Sequence, residues 1–122
     1  MDKKLMKIEL GRLAPHPADP FKPYAEDKLR ELAESIDKYG LFEPIVVRSA
    51  AGVYEILAGK NRANAARSLG WAEIDAFLMD VDDDAALMII TDSNLKHRNK
   101  LLPSERGFAY KMQLDAIKRQ GE

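Results

Sequence analysis

The amino-acid sequence predicts an α+β fold, in which a small mixed β-sheet is flanked by helices and followed by a C-terminal helical arm. Apolar residues recur at helical spacing over 25–39. Two short apolar runs, 45–47 and 53–57, enclose a turn that contains Gly52, a pattern typical of a β-hairpin. Residues 74–79 alternate enough to add a third main strand.

The segments before the hairpin can be assigned in chain order. Alternation within 5–13 predicts a short strand, and the prolines that follow exclude regular structure up to about Tyr24. We expect 15–24 to be an ordered loop, because Phe21 within it requires burial. The helix over 25–39 should end at Gly40, since glycine adopts the positive φ of a helix terminus without strain.

Two helices are predicted after the hairpin. The first, over 61–69, is rich in small residues that permit close packing on the sheet, and Gly70 closes it. The second follows the acidic residues 82–84, which complement a helix start, and we expect it to end near Ser93.

Composition limits the class of protein. A chain of 122 residues with 46% hydrophobic and 32% charged residues is sufficient for one compact domain and does not indicate disorder. The absence of cysteine excludes disulfides, thiolate metal sites and a cysteine nucleophile, and fits a reducing cytoplasm. No apolar run reaches membrane-spanning length, and the first residues lack the apolar core of a signal peptide, so we expect a cytoplasmic protein without a membrane partner.

Charge is unevenly distributed along the chain, although the net charge is only −1. Residues 73–92 carry seven acidic and no basic side chains, whereas residues 93–122 carry seven basic and three acidic ones. This C-terminal stretch comprises a predicted basic loop over 96–100 and a final helix from Pro103 to about residue 119. A basic surface for nucleic acid is therefore absent overall, and only the last thirty residues could form one.

The main candidate site is the sequence Gly59-Lys60-Asn61-Arg62, which joins a strand to a helix. Glycine allows a phosphate to approach the backbone, the following amides open outward from a helix start, and the basic side chains add positive charge. A strand-to-helix turn with solvated basic side chains explains the same residues equally well. A P-loop is excluded, because the spacing from Gly52 is wrong and Asn61 stands where Ser or Thr should hold magnesium.

A second candidate site is Asn94 with Arg98. An asparagine oxygen can ligate magnesium, and an arginine can bind phosphate oxygens. Taken alone, these residues fit a helix C-terminus with complementary cations better.

A cluster of acids would suit two-metal hydrolysis, but a capped helix start is the favoured interpretation. The cluster consists of Asp80, Asp82, Asp83 and Asp84. His16 and His97 lack metal-ligand spacing, so surface or structural roles are expected.

Taken together, the segments resemble the amino-terminal domain of the ParB family of chromosome and plasmid partition proteins, which is ParB/sulfiredoxin-like in fold. The resemblance covers roughly residues 6–115. The matching segments are Asp19-Pro20-Phe21-Lys22-Pro23, the helix Leu29–Ile36, Glu43-Pro44-Ile45-Val46-Val47-Arg48 and Leu102-Pro103-Ser104-Glu105. Residues 59–62 fall on the family's Gly-Glu-Arg-Arg box, and Asn94 and Arg98 fall on its Glu-Asn-x-x-Arg motif.

The resemblance implies a function. In the family, the first box cradles the triphosphate of CTP, and the second motif holds Mg²⁺ and phosphate. It implies CTP and Mg²⁺ as ligands, with Gly59, Lys60, Asn61, Arg62 and Arg98 at the phosphates and Asn94 at the metal. Residues 1–94 would form the nucleotide-binding core, and 95–122 would lead toward a DNA-binding domain. The implied partners are DNA, a second copy forming a nucleotide-gated clamp, and a ParA-like ATPase, in plasmid or chromosome segregation.

Departures from the family pattern affect catalysis. Lys60 replaces a Glu, Asn61 replaces an Arg, Ser93 stands at the second motif's Glu, and one extra residue separates Asn94 from Arg98. The resemblance therefore implies a weak CTPase or none, and no catalytic residue is assigned. The family's helix-turn-helix and dimerising tail come after this region, so we expect either a domain excised from a longer protein or a truncated paralogue. We favour the excised domain, because residues 115–121 resemble a helix that continues.

Three alternatives remain. A ParB-like nuclease would require clustered carboxylates at the phosphate site. Sulfiredoxin-like ATP chemistry would require the cysteine nucleophile that the chain lacks. A DNA- or protein-interaction module without nucleotide would show no response to CTP.

Overall fold

The computed structural model describes the backbone of residues 3–100 and the side chains of residues 3–95. Over this range the chain forms five strands, three α-helices and one short 3₁₀ turn at Leu10–Arg12. In chain order the elements are β1 (Lys3–Glu9), β2 (Leu13–Pro15), α1 (Glu26–Tyr39), β3 (Ile45–Ala50), β4 (Val53–Ala58), α2 (Lys60–Ser68), β5 (Glu73–Met79) and α3 (Asp83–Lys100).

The five strands form one mixed sheet in the order β1-β5-β3-β4-β2. The pairs β1/β5 and β3/β4 are antiparallel, and the pairs β3/β5 and β2/β4 are parallel. The hairpin turns between Ala50 and Val53, which lie opposite each other. The α+β class and the mixed sheet are therefore confirmed.

The core lies mainly between the sheet and α2. Its sheet side is built from β-branched and small residues, and α2 contributes Ala63 and Ala66, both fully buried. On the outer side of α2, Ala65 packs against Ala33 and Ile36 of α1. These alanines let α2 lie close to the sheet, as the sequence predicts, and also to α1. A separate cluster joins Leu57 of β4 to the first part of α3.

Helix α3 spans two compact units of the chain. The first unit, Met1–Ile90, contains the sheet, α1, α2 and the start of α3. Of the second unit, the structure describes residues 91–100, which continue the same helix. The division expected at residue 94 stays a prediction. Along the described part of the chain, none of the helices has the length and apolar character needed to cross a bilayer.

Two details of the secondary structure differ from the sequence-based expectation. The helix expected to end near Ser93 continues to Lys100, so the prediction of a basic loop over 96–100 was wrong. No glycine or proline occurs between Asp83 and Lys100, and Lys and Arg are good helix formers. The final helix predicted from Pro103 lies outside the described residues.

The strand expected over 5–13 is the second difference. It is interrupted by the 3₁₀ turn, and its continuation extends to Pro15 in β2. Proline is tolerated there because β2 is an edge strand of the sheet.

The loop between β2 and α1 is ordered by its apolar residue. Phe21 packs against the cluster that contains Leu57, as its position in a proline-rich segment predicts. The helix that follows ends where expected, because Gly40 has φ +85° and its amide donates to the carbonyl of Ile36 at 2.8 Å.

Candidate functional site

Gly59 forms the turn between β4 and α2, and its conformation requires glycine. Its φ and ψ are +94° and 25°, in the left-handed region. A Cβ at this position would lie 2.7 Å from Ile45 Cγ2 and 2.8 Å from Arg62 Nη2. No side chain caps the start of α2, so the amides of its first turn are available to an anion.

Lys60 is not a solvated base. Its ammonium donates to the Asp19 carboxylate, with Nζ and Oδ2 3.1 Å apart, and to the carbonyl oxygen of Phe21. The side chains of Lys60 and Asp19 are only 15% and 9% exposed. The first basic residue of the glycine turn is therefore bound to the loop before α1.

Asn61 also binds this loop. Its Oδ1 accepts the backbone N–H of Tyr24 at 2.8 Å. Lys60 and Asn61 are the two positions at which the chain departs from the family's first box. Both use their side chains to hold one surface loop.

Arg62 faces a second loop, between α1 and β3. Its Nη1 donates to the carbonyls of Glu43 at 2.8 Å and Pro44 at 3.2 Å, and lies 3.4 Å from Glu43 Oε2. Its Nε is buried and has no partner among the described residues. Burial lowers the pKa of Arg62, while the Glu43 carboxylate opposes that change. This guanidinium therefore keeps one unused donor beside Gly59.

The second predicted pair lies on α3 in the second unit. Asn94 is half-buried, and Arg98 is on the same helix with its side chain outside the described residues. The expectation that Asn94 and Arg98 meet the Gly59 turn stays a prediction.

A buried polar cluster escaped sequence reasoning. Arg48 of β3 donates from Nε to Glu55 of β4 at 2.9 Å and from Nη2 to Asp83 at 2.6 Å. His16, only 7% exposed, lies 3.2 Å from the same Nη2, and its Nδ1 accepts the N–H of Ala18 at 3.0 Å. The structural role expected for His16 is confirmed. The hairpin register, which places Arg48 opposite Glu55, was the signal that could have revealed this cluster.

Two acidic residues at the start of α3, Asp82 and Asp83, have local structural partners. Asp82 Oδ1 accepts the N–H of Ala85 at 2.8 Å, and the hydrogen bond from Arg48 lowers the pKa of Asp83. The contact of Asp82 caps the start of α3. It confirms the helix-capping interpretation, which was favoured over a metal site. Across residues 3–95, no three potential ligands among His, Cys, Asp and Glu are grouped to hold a metal ion.

The fold and the turn define a class of protein. A mixed five-stranded sheet carries a left-handed glycine at the start of a helix, and the three residues after this glycine are bonded to two neighbouring loops. The family model for the ParB N-terminal domain matches residues 1–95. The chain belongs to this family.

Two relatives indicate how widely the match extends. The chain is 36% identical over 111 residues to the chromosome-partitioning protein Spo0J of Thermus thermophilus, covering 91% of this chain and 41% of that protein. It is 35% identical over 109 residues to a nucleoid occlusion protein of a Geobacillus species, covering 88% and 38%. The chain thus spans about two fifths of the length of these relatives.

Solved structures share the fold. A C-terminally truncated ParB from Caulobacter crescentus, complexed with CTP-gamma-S, matches with a TM-score of 0.69 and 30% identity, over 76% of this chain and 53% of that one. The same protein complexed to the centromeric parS site matches with a TM-score of 0.67 and 28% identity, over 93% and 58%. Sulfiredoxin from Arabidopsis thaliana matches at 0.58 and 23% identity over 71% and 97%, which supports the sulfiredoxin-like fold alone.

Proposed function

We propose that this chain is the CTP- and Mg²⁺-binding module of a ParB-like DNA partition protein. The observation that carries the proposal is the match to a ParB complexed with a CTP analogue, at 30% identity over 76% of this chain, and the Gly59 turn supports it. In the proposal, the first-turn amides of α2 and the Arg62 guanidinium receive the phosphates. Arg98 adds a second phosphate contact, and Asn94 holds Mg²⁺.

The proposed module works as a switch. A ligand that contacts both the Gly59 turn and α3 stabilises the arrangement in which both contacts exist, so binding shifts the population toward that arrangement. With a DNA-binding region, two copies would then close as a clamp on DNA. DNA as a partner is supported by the parS complex of the Caulobacter protein. The homodimer and a ParA-like ATPase rest on the family resemblance.

The proposal is tested by calorimetry with CTP, UTP, GTP and ATP in the presence of Mg²⁺. We expect heat with CTP and little with the other three nucleotides. The full-length product of the source gene, measured with and without DNA, serves as the control, because the proposed clamp requires a DNA-binding region. Absence of CTP binding in both proteins would refute the proposal.

A nucleotide-independent interaction module is the second candidate. It is favoured by the contacts of Lys60, Asn61 and Arg62 with protein groups, which give each of these side chains a structural role without a nucleotide. The same calorimetry decides between the two, since this candidate predicts no heat with any nucleotide. A nuclease is less well supported because Asp82 and Asp83 already have structural contacts, and a divalent-dependent plasmid cleavage assay tests it.

A further inference from the structure

The proline-rich loop before α1 is fastened to the first turn of α2 by consecutive side chains. Lys60 binds the Asp19 carboxylate and the Phe21 carbonyl, and Asn61 binds the Tyr24 amide. Asp19 also organises the loop itself, because its Oδ1 accepts the N–H of Phe21 at 2.9 Å. Three of the loop's polar groups thus bind the two residues that follow the glycine of the turn.

The charges of this contact are shielded from water. Asp19 is 9% exposed and Lys60 is 15% exposed at the side chain, so each is the compensating charge of the other in a poorly solvated place. An ammonium has three donors, and two are used here. Moving Lys60 to a phosphate would leave the Asp19 carboxylate buried without its cation, which is costly.

The loop also reaches the candidate site through Tyr24. Burial raises the pKa of the Tyr24 phenol, and the charge of Arg62 acts in the opposite direction. The backbone of Tyr24 is held by Asn61. A displacement of the loop would therefore change the electrostatic environment of Arg62.

We propose that Lys60 is a positioning residue, which holds the Asp19–Tyr24 loop against the Gly59 turn and affects a bound nucleotide through this loop rather than by contacting phosphate. The effect on nucleotide rests on the function proposed above. The fastening of the loop does not, because it is a property of the protein without ligand.

The test compares K60E, D19N and the double variant D19N/K60E with wild type. In K60E two carboxylates face each other, so we expect amide hydrogen exchange at Phe21 and Tyr24 to rise at least about tenfold and CTP affinity to fall about tenfold or more. In the double variant the new amide can donate to the new carboxylate, so both properties should recover. K22E is the matched control, since exposed Lys22 lies in the same loop and the charge change is identical.

A direct phosphate contact predicts the opposite pattern. D19N would then strengthen CTP binding by releasing Lys60, and D19N/K60E would bind as weakly as K60E; either result overturns the proposal. All affinities are measured at a temperature where circular dichroism shows every variant folded. If K60E does not fold, K60Q replaces it and is expected to show the same order of effects.

The proposed function and the positioning role of Lys60 can be refuted independently of each other. If neither this chain nor the full-length control protein binds CTP, the proposed function is refuted, and hydrogen exchange still decides whether Lys60 fastens the loop. Unchanged exchange at Phe21 and Tyr24 in K60E would overturn the positioning role whatever the nucleotide result.

Discussion

Arg48 and Asp83 form an ion pair of 2.6 Å between the middle of the hairpin and the first residue of α3. Arg48 also pairs with Glu55 across the hairpin, and both of these side chains are only 13% exposed. Asp83 is 81% exposed. The pair therefore combines a largely buried cation with a solvated anion, and it connects the sheet to the helix that carries the second candidate motif.

Replacement of Arg48 by methionine should destabilise the fold by about 2 kcal/mol, because the Glu55 carboxylate is left poorly solvated without its cation. The free energy of unfolding from urea denaturation measures this loss. Lys7→Met is the matched control: its partner Asp75 lies at a similar 2.9 Å, but both side chains are solvated, so no measurable loss is expected. Equal losses in the two variants would contradict this assignment.

Stability should fall in acid in a way that depends on Asp83. The hydrogen bond from Arg48, followed by the Coulomb attraction, lowers the pKa of Asp83 from its ordinary value. A carboxyl with a lowered pKa stabilises the folded state above its ordinary pKa, and this contribution is lost as pH falls through the folded-state value. Thermal unfolding followed from about pH 6 to pH 2 should show a decline below about pH 4 that is shallower in D83N. Parallel profiles for the two proteins would refute the role of this pair.

Gly59→Ala should destabilise the protein by about 3 kcal/mol, since it adds a steric clash to an unfavourable φ. The added methyl group would lie 2.7 Å from Ile45 and 2.8 Å from Arg62. Gly52→Ala separates the two effects, because Gly52 has a similar φ of +88° with nothing within 4 Å of the new Cβ. It should cost only about 1 kcal/mol. Similar losses at both glycines would show that close packing at Gly59 is unimportant.

Much of the fold follows from local sequence. The helix over Glu26–Tyr39 and the stop at Gly40 are encoded by apolar spacing and one glycine, and the hairpin by two apolar runs around Gly52. The predicted end of α3 was wrong, because a run of basic residues does not break a helix.

The candidate site was less predictable. Sequence reasoning finds the glycine and the basic residues after it, since they are adjacent. It does not find their partners, because Asp19 lies 41 positions before Lys60 and Glu43 lies 19 before Arg62. Such contacts depend on how the sheet brings loops together, which no local pattern specifies.

CTP turnover should be slow or absent. The resemblance assigns a Glu to the positions of Lys60 and Ser93, and neither present side chain can accept a proton as a carboxylate does. Phosphate release with saturating CTP and Mg²⁺ measures the rate, and heat-inactivated protein is the control. A rate of many turnovers per minute that persists after further purification of the protein would contradict this expectation.

The most direct test of the account is whether the Gly59 turn and the Asn94 region bind one nucleotide together. CTP titrated with Mn²⁺ in place of Mg²⁺ would broaden the amide NMR signals near the metal, with Mg²⁺–CTP as the diamagnetic reference. If both regions bind one nucleotide, residues 59–62 and residues around Asn94 respond at the same CTP concentration, with the strongest broadening near Asn94. A response confined to one of these two regions, or none at saturating CTP, would contradict it.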